Sequence, residues 1–326
     1  MARKTDSKKG TTAVGAGKAR VSVEWLSGCS GCELGIVDLH ERLLKLLSEI
    51  KLVRIPILMD TKDYVDADIG IITGSIRTDH DVHAAHAMRD TCKVIVAFGT
   101  CPVYGGPHSA AYPHSTQDLL DGSYINNPST TTKTAPDQVP RLLEGNRPLD
   151  SEIQVDVYIP GCPPHAAFIF EGLLALLRGR EPKIGRHNVC FHCTRKMIKT
   201  EVNTIRRNYG EAFKPDVCFL SQGCLCFGSV TLDRCMAPCM QVGVPCFSCG
   251  GPSEALILEP QKDVRSEVAD RMSRLTTIPS DSIVKAIENQ AKTHFAYAMA
   301  SPVFRQKPTF LLKKWTRTVS RAGEPS

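Results

Sequence analysis

Residues 21–32 read VSVEWLSGCSGC: a short strand-forming run, Val21–Leu26, closed by a loop that carries a Cys-x2-Cys pair. The next stretch, ELGIVDLHERLLKLLSEI, spaces Ile36, Leu39, Leu43, Leu46, Leu47 and Ile50 as one apolar stripe of a single helix. Short apolar runs recur at 52–58, 67–73, 93–98 and 155–159, with helical patterns at 79–90 and 166–177. Residues 107–150 are rich in Ser, Thr, Pro and Asn and read as loop with one short helical piece. Strands alternating with helices at this spacing predict a doubly wound, parallel α/β sheet with both faces covered. In such sheets binding groups gather beyond the carboxyl ends of the strands. The cysteines follow that rule. Cys29 and Cys32 come after the first strand, Cys101 after the fourth and Cys162 after the fifth, so four thiols far apart in sequence are expected at one sheet edge. Gly28, Ser30 and Gly31 let backbone N–H groups approach sulfur, and Pro102, Pro163 and Pro164 fix the chain after the later cysteines.

Beyond residue 185 the pattern changes. Nine of the chain's 14 cysteines fall in residues 190–249, where strand and helix periodicity is weak and metal is expected to supply the order. Cys235-x3-Cys239-x6-Cys246-x2-Cys249 is compact enough to wrap one cubane. Cys190-x2-Cys193 and Cys218 make three of another set. Either Cys224 or Cys226 is the fourth, and His187, three residues before Cys190, is a further alternative. Structural zinc takes ligands in close pairs, whereas the 29/32/101/162 set is one pair and two distant singles. Twelve thiolates in three groups of four make sense as a series of one-electron iron–sulfur centres.

Composition narrows the setting. At 326 residues and 42% hydrophobic, the chain suits one large domain and a smaller one. The polar first twenty residues lack the apolar segment of a signal peptide, and no run reaches membrane-spanning length, so a cytoplasmic protein without an integral membrane segment is expected. That compartment disfavours disulfides. The net charge of +6 comes from the ends: residues 1–20 and 301–326 each carry six basic side chains against one acid. An acidic body between basic, mobile tails is no nucleic-acid reader. No GxGxxG opens a helix, so the chain has no dinucleotide fingerprint.

VEWLSGCSGCELGIVDLHE, GTCPVYGG, PGCPP and the CFGS…CMAPC…PCFSCGGP block together resemble the small subunit of nickel–iron hydrogenases, over about residues 21–255. The resemblance implies a flavodoxin-like domain (21–184) with a proximal four-iron cluster on Cys29, Cys32, Cys101 and Cys162. A second domain (185–260) then holds a medial cluster on Cys235, Cys239, Cys246 and Cys249 and a distal one. Residues 1–20 are read as a disordered basic tail and 261–326 as a helical extension ending in a basic tail with FLLKKW. Two features resemble the cytoplasmic, methyl-viologen-reducing subfamily linked to heterodisulfide reductase. Cys239 stands where periplasmic enzymes carry proline, implying a four-iron medial cluster, and Cys190 and Cys193 match an all-cysteine distal site. The fourth distal cysteine of that subfamily precedes a segment matched by Phe227-Gly228-Ser229-Val230-Thr231, which selects Cys226 over Cys224. The family's nickel–iron centre sits in a separate large subunit. The implied partners are that subunit and an electron-transfer protein or flavoprotein subunit.

Two other readings compete. A subunit of complex I shares the proximal-cluster fold but has adjacent cysteines at the first motif and lacks a second cluster domain. A structural zinc protein is kept alive by the CxxC-like units. Among single residues, Glu33 suits the positive end of the following helix, with proton coupling as the alternative. Cys92 and Trp25 read as core, and His80, His83 and His86 as a solvated helix face.

Overall fold

The computed structural model describes residues 17–111, 114–180, 185–206, 212–259, 263–294 and 296–298. Most of the basic N-terminal tail and the FLLKKW segment lie outside the described residues.

Five parallel strands form the main sheet: β1 (Ala19–Trp25), β2 (Ile50–Arg54), β3 (Ala67–Thr73), β5 (Cys92–Phe98) and β7 (Val157–Ile159). Their order across the sheet is β2-β1-β3-β5-β7. Counting these five alone, that is the flavodoxin-like order 2-1-3-4-5, with its switch point beside β1. Side chains alternate between two cores, as the period of two requires. Val21, Val23, Ile69, Ile71, Val96 and Phe98 face one core. Ile72, Ile95 and Ala97 face the other. The first core is covered by α1 (Gly31–Val37), α2 (Glu41–Glu49) and α6 (Ala166–Leu177), through Ile36, Leu46, Ile169 and Leu173. The second is covered by α3 (Asp79–Thr91), through Ala84, Ala85 and Met88. The sheet is thus wound on both faces.

Several sequence expectations are corrected. The single helix over 33–50 is two helices. His40 at the joint has φ 52°, outside helical space, so the chain turns between α1 and α2. The second strand ends at Arg54 rather than running to 58, because Pro56 removes a ladder donor. The stretch 107–150 is more ordered than its composition suggests. It holds α5 (Thr116–Leu120) and β6 (Leu142–Arg147), which pairs antiparallel with β4 (Ile76–Thr78). Trp25 is not core: its side chain is 42% exposed at the carboxyl end of β1. Cys92 is buried, and His80, His83 and His86 are exposed, as expected.

Residues 185–294 have little regular structure before their last helices, but they do not lack an apolar core. Val189, Phe219, Phe227, Val230 and Met240 pack in one cluster with Leu256 of α8 (Glu254–Leu258). Val268 and Met272 of α9 (Val264–Leu275) and Ile283 of α10 (Ser280–His294) belong to the same cluster. Between these lies α7 (Pro238–Gln241), a single turn. Apolar burial therefore adds to whatever order a metal supplies.

Candidate metal centres

The carboxyl edge of the sheet brings the first set together. Cys29 lies in the loop after β1, Cys32 in the first turn of α1, and Cys101 in the first turn of α4 (Thr100–Tyr104) after β5. Cys162 follows β7. Burial pushes the Cys32 thiol far above its ordinary value, and the charges of Cys101, Glu33, Cys162 and Cys29 push it further, so all four sulfurs feel one another. Cys101 and Cys162 are pushed up to about 12, mainly by burial. Two glycines keep the room open. A Cβ on Gly99 (φ 103°) would lie 2.4 Å from Cys32 Sγ, and one on Gly106 (φ 63°) 2.4 Å from Cys101 Sγ. Both positions also need the positive φ that glycine tolerates.

The loop before Cys29 is held by a residue that sequence reasoning missed. Asp81, at the start of α3, accepts from Ser27 N–H (3.0 Å), Ser27 Oγ (2.7 Å) and Thr78 N–H (2.7 Å). Its signal was there: Thr78-x-x-Asp81 forms a capping box. Glu33 opens α1, is buried, and accepts from Thr73 Oγ1. Burial raises its carboxyl pKa above the ordinary value, the Thr73 hydrogen bond opposing.

The second set is also close-knit. Cys249 is pushed up to about 12 by burial, then by Cys162, Cys235 and Cys239. Cys246, fully enclosed, is raised well above its ordinary value by burial, then by Cys226. Non-glycine residues between these cysteines take left-handed backbone: Met236 (φ 60°), Ala237 (φ 57°) and Ser248 (φ 68°). Ser30, between Cys29 and Cys32, does the same (φ 61°). Such residues turn successive N–H groups to one side, a nest suited to anionic sulfur. Ala237 N–H donates to Cys235 sulfur and Ser248 N–H to Cys246 sulfur, both favouring thiolate. Asp233 braces the loop, accepting from Cys235 N–H (3.3 Å) and Met236 N–H (3.0 Å) on Oδ1 and binding His192 Nδ1 through Oδ2.

The third set lines a cavity of about 70 Å³ walled by Cys190, Cys193, Cys218 and Cys226, with Arg195, Ser229 and Arg271. Burial raises the Cys190 thiol to about 12, with Cys226, Cys218 and Cys193 adding to it. Cys218 sulfur accepts from Leu220 N–H and Ser221 N–H. Cys226 sulfur accepts from Gly228 N–H and, at 3.3 Å, Cys246 N–H. Cys224 and His187 are not among the lining residues. Cys224 is buried elsewhere in the core, and exposed His187 stacks on Phe191 at 4.0 Å.

These sets suit a bulky anionic group better than a single ion. The Gly99 and Gly106 cradles would be filled by a Cβ, and Ser229 Oγ is buried at the third cavity with no hydrogen-bond partner. Among the described residues, no three of His, Cys, Asp or Glu close on one point as a zinc ion requires.

Fold and thiols together define a class, a flavodoxin-like α/β protein with grouped cysteines at its sheet edge and in an appended irregular region. Residues 29–176 match the family model of the NADH ubiquinone oxidoreductase 20 Kd subunit. One subunit of the F420-non-reducing hydrogenase vhu of Methanocaldococcus jannaschii is 33% identical over 80% of this chain and 95% of its own length. The corresponding F420-non-reducing hydrogenase polypeptide of Methanothermobacter marburgensis is 30% identical over 90% of this chain and 98% of its own. The crystal structure of an NAD+-reducing [NiFe]-hydrogenase in the H2-reduced state contains a chain matching at TM-score 0.50 and 33% identity. That match covers 52% of this chain and 96% of the other. The chain belongs to the nickel–iron hydrogenase small-subunit family, in the branch of the F420-non-reducing enzymes. Among the described residues no helix is long and apolar enough to cross a membrane.

Proposed function

We propose that this hydrogenase small subunit is an electron relay between the dihydrogen-activating nickel–iron centre of a large subunit and an external redox partner. Cys29, Cys32, Cys101 and Cys162 would hold a proximal four-iron cluster, and Cys235, Cys239, Cys246 and Cys249 a medial one. Cys190, Cys193, Cys218 and Cys226 would hold a distal one. Such clusters, when bound, take up and release one electron at a time. The chain's own part is to supply thiolates, aim N–H groups at them and exclude water. The observation that carries this reading is the linkage of the three sets in series. Thr100, beside Cys101, donates to the Cys249 carbonyl at 2.6 Å, and Cys246 N–H donates to Cys226 sulfur.

Exposed Met197 lines the distal cavity, and there an electron-transfer protein or flavoprotein subunit would receive the electron. The proposed division is a flavodoxin-like domain over 21–184, a two-cluster domain over 185–260 and a helical extension beyond. We place the complex in the cytoplasm. A test is the complex with its large subunit under dihydrogen. Its brown absorption should bleach and a viologen dye should be reduced, whereas the small subunit alone does neither. Persistence of the absorption under dihydrogen in the active complex would overturn the relay.

A further inference from the structure

Thr100 lies where the first and second cysteine sets meet. It opens α4, one residue before Cys101, and is 1% exposed. Its Oγ1 donates to the carbonyl oxygen of Cys249 at 2.6 Å and accepts from Gly161 N–H at 3.0 Å. Its own N–H donates to Gly161 O at 2.8 Å, so the Thr100 and Gly161 backbones are also tied directly. One hydroxyl, on the residue before Cys101, therefore contacts the neighbour of Cys162 and the backbone of Cys249.

We propose that Thr100 is a positioning residue for the relay, its hydroxyl forming the bridge that couples the first cysteine site to the second. The proposal rests on the reading that both sites hold one-electron centres. Electronic coupling falls off more slowly along covalent and hydrogen bonds than across a van der Waals gap. The route runs from Cys101 through the adjoining peptide to the Thr100 side chain, then through O–H···O=C to Cys249. With clusters bound, the first site would give up one electron in each pass and the second would take it up. Two passes serve each dihydrogen, whose protons leave at the large subunit, and the electrons end on the dye. No bond of this chain forms or breaks. Oγ–H is engaged with Cys249 while an oxygen lone pair receives Gly161 N–H, so both capacities of the hydroxyl are used.

The test compares Thr100→Val, Thr100→Ala and Thr100→Ser with the parent, each in complex with the large subunit. The hydroxyl-free variants are expected to keep their iron, sulfide and EPR signals. Hydrogen–deuterium isotope exchange by the large subunit should be unchanged, while freeze-quenched reduction of the second site and dye reduction slow severalfold. Amide exchange at Gly161, read by mass spectrometry, should speed up because its acceptor is gone. Thr100→Ser should restore both the transfer rate and Gly161 protection. Parent-like transfer in fully loaded Thr100→Val or Thr100→Ala overturns the proposal, as does a Thr100→Ser as slow as they are. Loss of iron in both hydroxyl-free variants would make the role structural and overturn it too. Failure of the underlying reading looks different: the parent itself would lack acid-labile sulfide.

Discussion

Cys226 and Cys224 are two residues apart and both buried, yet only Cys226 lines the third cavity. Spacing alone left them equivalent; the difference is the direction in which each side chain leaves the backbone. Replacing Cys226 with serine should abolish the third EPR signal and leave the other two. Cys224→Ser should keep all three, at a small stability cost from a hydroxyl in apolar surroundings. Ser229 makes a subtler case. Its Oγ is buried without a partner beside that cavity, free to donate to a bound group's sulfur. Such a hydrogen bond favours the more negative, reduced state. Ser229→Ala should therefore move the potential of the third centre to more negative values in an EPR-monitored titration, with the first two centres unmoved. Neither Ser229 nor Asp81 stood out in the sequence, because one partnerless serine and one helix-capping aspartate look like many others until their neighbours are in place.

At the scale of elements, the loops between strand and helix decide the chemistry. Gly99 joins β5 to α4 with a φ of 103°, and a Cβ there would meet Cys32 sulfur at 2.4 Å. Gly99→Ala should lose iron from the first site while far-UV circular dichroism of the sheet persists. Asp81 ties the loop before Cys29 to the start of α3. Removing a buried carboxylate that accepts several hydrogen bonds costs about 3 kcal/mol, so Asp81→Ala should unfold at lower denaturant than the parent. The alternation of apolar strands with helices was legible because both faces of a parallel sheet are buried, which leaves short, unmistakable runs. The break at His40 was not, since the apolar stripe of α1 and α2 runs on through it and only the backbone shows the turn. Strand β6 was missed for a related reason. It is short, its partner β4 is only three residues long, and LLEGNR has no alternating pattern to betray it. The left-handed residues Ser30, Met236, Ala237 and Ser248 are likewise invisible in a sequence, because none is glycine.

Across the whole molecule, burial works against the cysteines while they carry protons. Cys101, Cys162, Cys190 and Cys249 are each pushed up to about 12 from an ordinary value near 9, with burial the leading cause. A thiol raised on folding favours the folded chain below its unfolded pKa, and that contribution is lost as pH climbs from about 9 toward about 12. Cluster-free protein should therefore lose thermal stability above pH 9, whereas loaded protein, whose thiolates are already bound, should change far less across the same range. Differential scanning calorimetry on both forms reads this directly. The grouping of the first four cysteines was legible from the sheet-edge rule, and the second group from spacing. The links between groups were not, because Thr100–Cys249 and Cys246–Cys226 join segments whose approach depends on tertiary packing. The central claim, three thiolate-held four-iron sites in one chain, is tested most directly by iron and acid-labile sulfide analysis with Mössbauer spectroscopy on anaerobically purified small subunit in its complex. Corrected for any iron of the large subunit, the account predicts about twelve irons and as many sulfides per chain, all in four-iron clusters. Zinc without sulfide, or iron for fewer than three such clusters in fully active complex, would contradict it.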